Sequence, residues 1–185
     1  MKIFVLSRKE ITKEYFRDKN FINRNYIISI YSSMFCVSEN ESKSPFPDHL
    51  NVLKLNFDDV VERDACPEDL KNKFLFFTKE HAQKIHKFIE TIKDDGSKDF
   101  YVHCDAGVSR SGAVGYMLNE WFNKYLENNR CDNIFFQEEN RHIMPNPLVI
   151  RLLKQELFGN DYRGVFVNDY TYNEDGDKID NISEI

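Results

Sequence analysis

A chain of 185 residues, 41% of them hydrophobic and including sixteen Phe and nine Tyr, is long enough to bury a substantial core and too apolar to remain disordered. Its net charge of −6 lacks the basic field that nucleic acid or an anionic membrane needs, so any phosphate site must be local.

Length fits one domain over residues 1–160, with a C-terminal arm and acidic tail over 161–185. The cysteines Cys36, Cys66, Cys104 and Cys131 show no framework spacing. A reducing cytoplasm therefore suits the chain better than a disulfide-building compartment. The opening apolar run is too short for a signal-peptide core, and nothing approaches a membrane span.

In chain order, Lys2 to Leu6 reads as a first strand, and Ile11, Tyr15 and Phe16 recur at helical spacing behind it. Asn25 to Tyr31, with Ile27, Ile28 and Ile30, predicts a strand buried on both faces. Ser38 to Asp48 is polar and holds two prolines, which makes it a loop. Asn51 to Phe57 alternates, Leu53, Leu55 and Phe57 on one face, as a third strand does. After it come Asp58, Asp59 and Val60, then a charged insertion from Glu62 to Lys73 that would lengthen a loop or form a lid.

Thr78 to Asp94 predicts a helix with Thr78 as N-cap and Ala82, Ile85, Ile89 and Ile92 as its apolar stripe. Its His81 and His86 are five apart, outside the i, i+4 arrangement that joins two imidazoles to one metal, and read as surface or boundary residues. A central strand follows over Asp99 to His103, and a helix from Ser111 to about Glu127 carries Val114, Met117, Leu118, Trp121, Phe122 and Tyr125 on a wide buried face.

Asn146 is a good N-cap and Pro147 suits a first turn, so a last helix runs from Pro147 to about Phe158. Arg141 and His142 read as an exposed charged turn. Tyr162 to Tyr172 reads as an edge strand or extended arm. Asp175-Gly176-Asp177 invites a calcium loop, but register puts Thr171 first and Ile182 twelfth, and Ile182 cannot chelate. Alternating strands and helices give an α/β class.

Chemistry concentrates in His103-Cys104-Asp105-Ala106-Gly107-Val108-Ser109-Arg110-Ser111. Where a strand turns into a helix, the first helical N–H groups lack internal partners and the dipole is positive, so an oxyanion fits there. Amides from Asp105 through Arg110 can curl into a nest of phosphate size, with Gly107 free of a Cβ and Arg110 offering a planar fork for two oxygens. Cys104 in the same field is held as a thiolate, a nucleophile beneath a phosphate. His103 then serves to hold the loop rather than as a base, and Ser111 can donate to the sulfur. A zinc reading fails, since no C-x2-C or H-x3-H spacing accompanies the adjacent His103 and Cys104.

This H-C-x-x-G-x-x-R-S pattern resembles the signature of the cysteine-dependent protein tyrosine phosphatase superfamily; Ala106 and Ser109 match the A-G-x-S-R-S form of its dual-specificity branch. The resemblance implies a three-layer α/β/α fold with a central, mostly parallel sheet. It also implies a general acid on a loop upstream of the nucleophile. Leu55-Asn56-Phe57-Asp58-Asp59-Val60 looks like the family's L-x-F-x-D-(I/V) form, which makes Asp59 the acid, with Asp58 the alternative and Asp64 or Asp69 further candidates. Pro145-Asn146 looks like the segment whose asparagine braces the phosphate loop.

The expected activity is hydrolysis of phosphomonoesters through a cysteinyl-phosphate, with phosphorylated protein as partner, phosphotyrosine foremost and phosphoserine or phosphothreonine as further substrates. No metal or organic cofactor is required. Phosphoinositide-cleaving relatives usually carry lysines in the loop, whereas this one has Asp105, Ala106 and Val108. Two other classes stand beside it: a phosphoprotein-binding module without turnover, and an RNA 5′-phosphatase, which would need a basic channel.

Overall fold

The computed structural model describes residues 1–32, 43–61, 72–125 and 131–159, and two short strands at 171–172 and 178–179. Its centre is a sheet of β1 (Ile3–Ser7), β2 (Asn25–Tyr31), β3 (Val52–Asn56) and β4 (Asp99–Cys104), ordered β1-β4-β2-β3. All three pairings are parallel. Parallel neighbours cannot be joined by a tight turn, so the connections pass over the sheet faces and cover them.

Alternation along the strands divides the interior in two. Ile3, Val5, Ile28, Ile30, Leu55, Phe100, Val102 and Cys104 face one side, where Ala113, Val114, Met117, Trp121, Ile85, Ile89 and Leu153 meet them. On the other, Ile27 packs with Ile11, Phe21, Ile22 and Phe46, flanked by Leu6, Val52 and Tyr101. Each buried apolar side chain contributes roughly 1.5–3 kcal/mol, so the first and larger cluster carries most of the stability.

The small face is covered by α1 (Arg8–Arg17) and α2 (Phe21–Arg24), and the large one by α3 (Lys79–Ile92), α4 (Arg110–Glu120) and α6 (Pro147–Phe158). The fold is thus the three-layer α/β arrangement expected, with a wholly parallel main sheet. Ser7 caps α1 through a reciprocal box with Glu10. On α1 only Ile11 is fully buried, and Phe16, expected to pack, is 78% exposed.

Two elements differ from the sequence reading. The helix after the loop from Cys104 to Arg110 leaves regular α geometry at Trp121 and continues as a π-turn over Trp121–Tyr125. Asn133–Glu139, to which no element was assigned, is a helix, α5, started by Asp132 accepting from the Phe135 amide. The insertion at Glu62 to Lys73 lies almost wholly outside the described residues. So does the arm from Tyr162, of which Thr171–Tyr172 pairs antiparallel with Lys178–Ile179.

The outer edge of β1 is met by a side chain. Asn140, 2% exposed, accepts from the Val5 amide at 2.8 Å and donates to the Ile3 carbonyl at 3.0 Å.

Candidate active site

β4 ends at Cys104 and α4 begins at Arg110, so the turn between them sits at the carboxyl end of the sheet, where open α/β folds bind ligands. Gly107 takes φ +78°, and a Cβ there would fall 2.4 Å from the Ser7 nitrogen and 2.6 Å from the Leu6 carbonyl carbon. The turn therefore lies directly on the end of β1. The Arg8 amide donates to the Asp105 carbonyl at 3.2 Å from the same place.

Cys104 is 1% exposed and belongs to the large core, yet its sulfur meets polar groups. The Gly107 N–H donates to Sγ at 3.3 Å, and the Ser111 hydroxyl lies 3.1 Å from it. Hydrocarbon surrounds the stem of the residue, and polar groups reach its sulfur. At the other buried thiol, Cys131, burial pushes the pKa up to about 12, so it stays protonated.

Arg110 lies inside the protein at 5% exposure. Its Nη1 donates to Ser32 Oγ at 2.6 Å and to the Phe57 carbonyl at 2.9 Å, which fixes that end of the fork. Nη2 donates to the Asp105 carboxylate at 2.6 Å, and Nε has no hydrogen-bond partner among the described residues. A buried, unpartnered guanidinium N–H is costly, and an anion on that edge would satisfy it.

The two adjacent acids have different surroundings. Asp58 is 2% exposed; its carboxylate accepts from the Leu75 amide at 2.8 Å, and its own amide donates to the Leu75 carbonyl at 2.7 Å. That pair ties the end of β3 to the segment before α3. Asp59 is exposed, and its Oδ1 accepts from Ser109 Oγ at 2.8 Å and from Asn146 Nδ2 at 2.8 Å. Of the two, Asp59 is the one in contact with the anion loop. Asp64 and Asp69 lie outside the described residues.

Asn146 joins three parts of the site. Its side chain caps α6 by accepting from the Leu148 and Val149 amides and donates to the Val60 carbonyl at 3.3 Å as well as to Asp59. Its own amide donates to the Ser109 carbonyl at 3.2 Å, while the Met144 amide donates to the Val108 carbonyl. Ala106 is exposed on the loop.

His103 is fully buried and held by its Nε2 against Ser29 Oγ at 2.7 Å, with Ser44 Oγ 2.8 Å from Ser29. Burial pushes its imidazole down to about 4, more than the Cys104 backbone raises it. A neutral ring beneath the loop is a support.

The remaining candidates make no hydrogen bond to the turn among the described residues. Arg141 and His142 are exposed. His81 accepts from the Thr78 amide at 3.1 Å and stacks on Phe77, and burial lowers its imidazole. His86 joins α3 to α6 through Glu156 at 3.1 Å. Among the described residues no cluster of His, Cys, Asp and Glu suits a metal, and no helix is long and apolar enough to cross a membrane. Asp175 to Asp177 lie outside them.

Four contacts escaped the sequence reading. Ser32 and the Phe57 carbonyl hold Arg110, and nothing in residue spacing announces them. Ser29, which holds His103, left one signal: a lone serine among the isoleucines of β2. The Asp105 pairing with Arg110 had none.

No protein-family model matches the chain, and no curated protein does. Among solved structures it is similar to the human tyrosine phosphatase-like serine/threonine/tyrosine-interacting protein, with 21% identity, covering 80% of this chain and 83% of that one at a TM-score of 0.46. It is also similar to PTPMT1 in complex with PI(5)P, with 16% identity, 84% and 89% coverage and a TM-score of 0.42.

Proposed function

We propose that this chain is a cysteine-dependent phosphomonoesterase acting on phosphorylated side chains of proteins, phosphotyrosine foremost. One observation carries the reading. A single loop holds a sulfur with two polar contacts, a buried guanidinium with an unpartnered Nε, and on its rim an exposed carboxylate bonded to Ser109. Nucleophile, oxyanion holder and proton donor are the three parts that phosphoryl transfer through a covalent intermediate needs.

In the first step the Cys104 thiolate attacks phosphorus, the S–P bond forms and the bond to the ester oxygen breaks. Loop amides and Arg110 hold the equatorial oxygens. Asp59, protonated, gives its proton to the departing oxygen. Both hydrogen bonds to Asp59 end on Oδ1, which leaves Oδ2 to carry that proton. Water then attacks phosphorus while Asp59 takes a proton from it, the S–P bond breaks and inorganic phosphate leaves. The Ser111 hydroxyl, 3.1 Å from the sulfur, donates to the re-formed thiolate. Chemistry of this kind requires a reduced thiol, which fits the cytoplasm.

The test is release of inorganic phosphate from p-nitrophenyl phosphate and from phosphotyrosine and phosphoserine peptides in the presence of a chelator. Wild type releases phosphate, and Cys104→Ser releases none above background. Turnover surviving in Cys104→Ser would sink the proposal. Capture of phosphopeptide by wild type with no release would instead mark a binding module.

A further inference from the structure

The anion site already contains an anion, supplied by its own loop. Arg110 presents a side-on edge made of Nε–H and Nη2–H, the geometry that receives two oxygens of a phosphate. Asp105 Oδ2 occupies Nη2 at 2.6 Å, while Nε, buried with the rest of the guanidinium, is left without a partner among the described residues. We propose that Asp105 is a resident carboxylate ligand of the phosphate site, which an incoming phosphoryl group must displace from Arg110 in order to bind. This rests on the reading of the loop as a phosphate site.

The geometry decides which partner gives way. Arg110 is pinned at Nη1 by Ser32 and Phe57, and its side chain is 6% exposed. The Asp105 side chain is 43% exposed, so its carboxylate can turn into water. Its main chain stays in place, because the Asp105 carbonyl accepts from the Arg8 amide. The exchange therefore moves one side chain and leaves the loop intact.

The carboxylate satisfies one of the two donors on the edge, whereas a dianionic phosphate satisfies both and reaches the loop amides as well. A phosphoryl group thus wins the exchange, but its apparent affinity is reduced by the fraction of time that Arg110 is open. An open fraction of about one tenth would weaken binding about tenfold. Ligands with a single charge and a single contact gain no advantage over Asp105, so the device selects for the doubly charged ester.

The experiment titrates inorganic phosphate into the full chain by calorimetry, comparing wild type with Asp105→Asn and Asp105→Ala. Asparagine keeps the shape and removes the charge, and alanine removes the group, so a folding defect in one leaves the other to decide. Both variants are expected to bind phosphate about tenfold more tightly, with the KM for p-nitrophenyl phosphate falling by the same factor. Equal or weaker binding overturns the proposal; weaker binding would make Asp105 a brace for Arg110. Phosphate binding by all three chains with no gain removes only the displacement. No binding by any of them removes the phosphate site itself, and both readings with it.

Discussion

The loop from Cys104 to Arg110 and the segment from Phe57 to Val60 meet at one place but are built by different rules. The loop is continuous in the chain, and the strand before it and the helix after it fix both of its ends. The segment arrives from another strand and is held by side chains distant in sequence: Asp58 on Leu75, Asp59 on Ser109 and Asn146. Local order specifies the proposed nucleophile and the loop around it. Tertiary contacts specify which of two neighbouring acids stands beside them.

Four measurements would break or sharpen that comparison. The largest effect belongs to Asp59→Asn, which should slow kcat by about 10²–10⁴-fold on esters with poor leaving groups and far less on p-nitrophenyl phosphate. A loss independent of leaving group would show that Asp59 only positions the loop. Next is Gly107→Ala, whose methyl meets backbone at 2.4 Å with φ at +78°. Roughly 3 kcal/mol of stability should be lost in urea denaturation, along with phosphate binding. An unperturbed variant would mean that the loop does not rest on β1.

His103 tests the support beneath Cys104 through pH. Its folded value of about 4 lies below the ordinary 6.5, so the unfolded chain binds the proton more readily. The contribution is fully present above pH 6.5 and is lost as pH falls toward 4. Between pH 7.5 and 5 this predicts a loss of about 2 kcal/mol, which His103→Asn should not share when both are unfolded in urea across that range. The smallest effect is that of Asp58→Asn, which places an amide where a carboxylate accepts from Leu75. We expect about 1–2 kcal/mol of destabilisation and an unchanged leaving-group dependence; a leaving-group effect equal to that at Asp59 would transfer the acid role by one residue.

Much of this fold could be read from periodicity, because β2 and α3 each carry a pattern that only one element satisfies. The motif residues could be read for the same local reason. Asn146 announced itself as an N-cap beside Pro147, and only the fold shows that its amide also reaches Asp59. Helix α5 was hidden: its run Ile134-Phe135-Phe136 is too short to show a period, and of those three only Phe136 is buried. The Ser32 and Phe57 contacts with Arg110 join residues dozens of positions apart, and no sequence window contains both ends.

Asn140 bears on how the molecule coexists with its own copies. A bare strand margin offers amides and carbonyls on which another chain can crystallise into a growing ribbon. The carboxamide of Asn140 occupies the Val5 and Ile3 groups on the outer side of β1, while Glu10 takes the Ser7 amide and the Asp132 amide reaches the Met1 carbonyl, so the middle of this margin is sealed by one side chain. The centre of that margin stays closed to a further strand as long as this one amide remains where the short helix before it puts it.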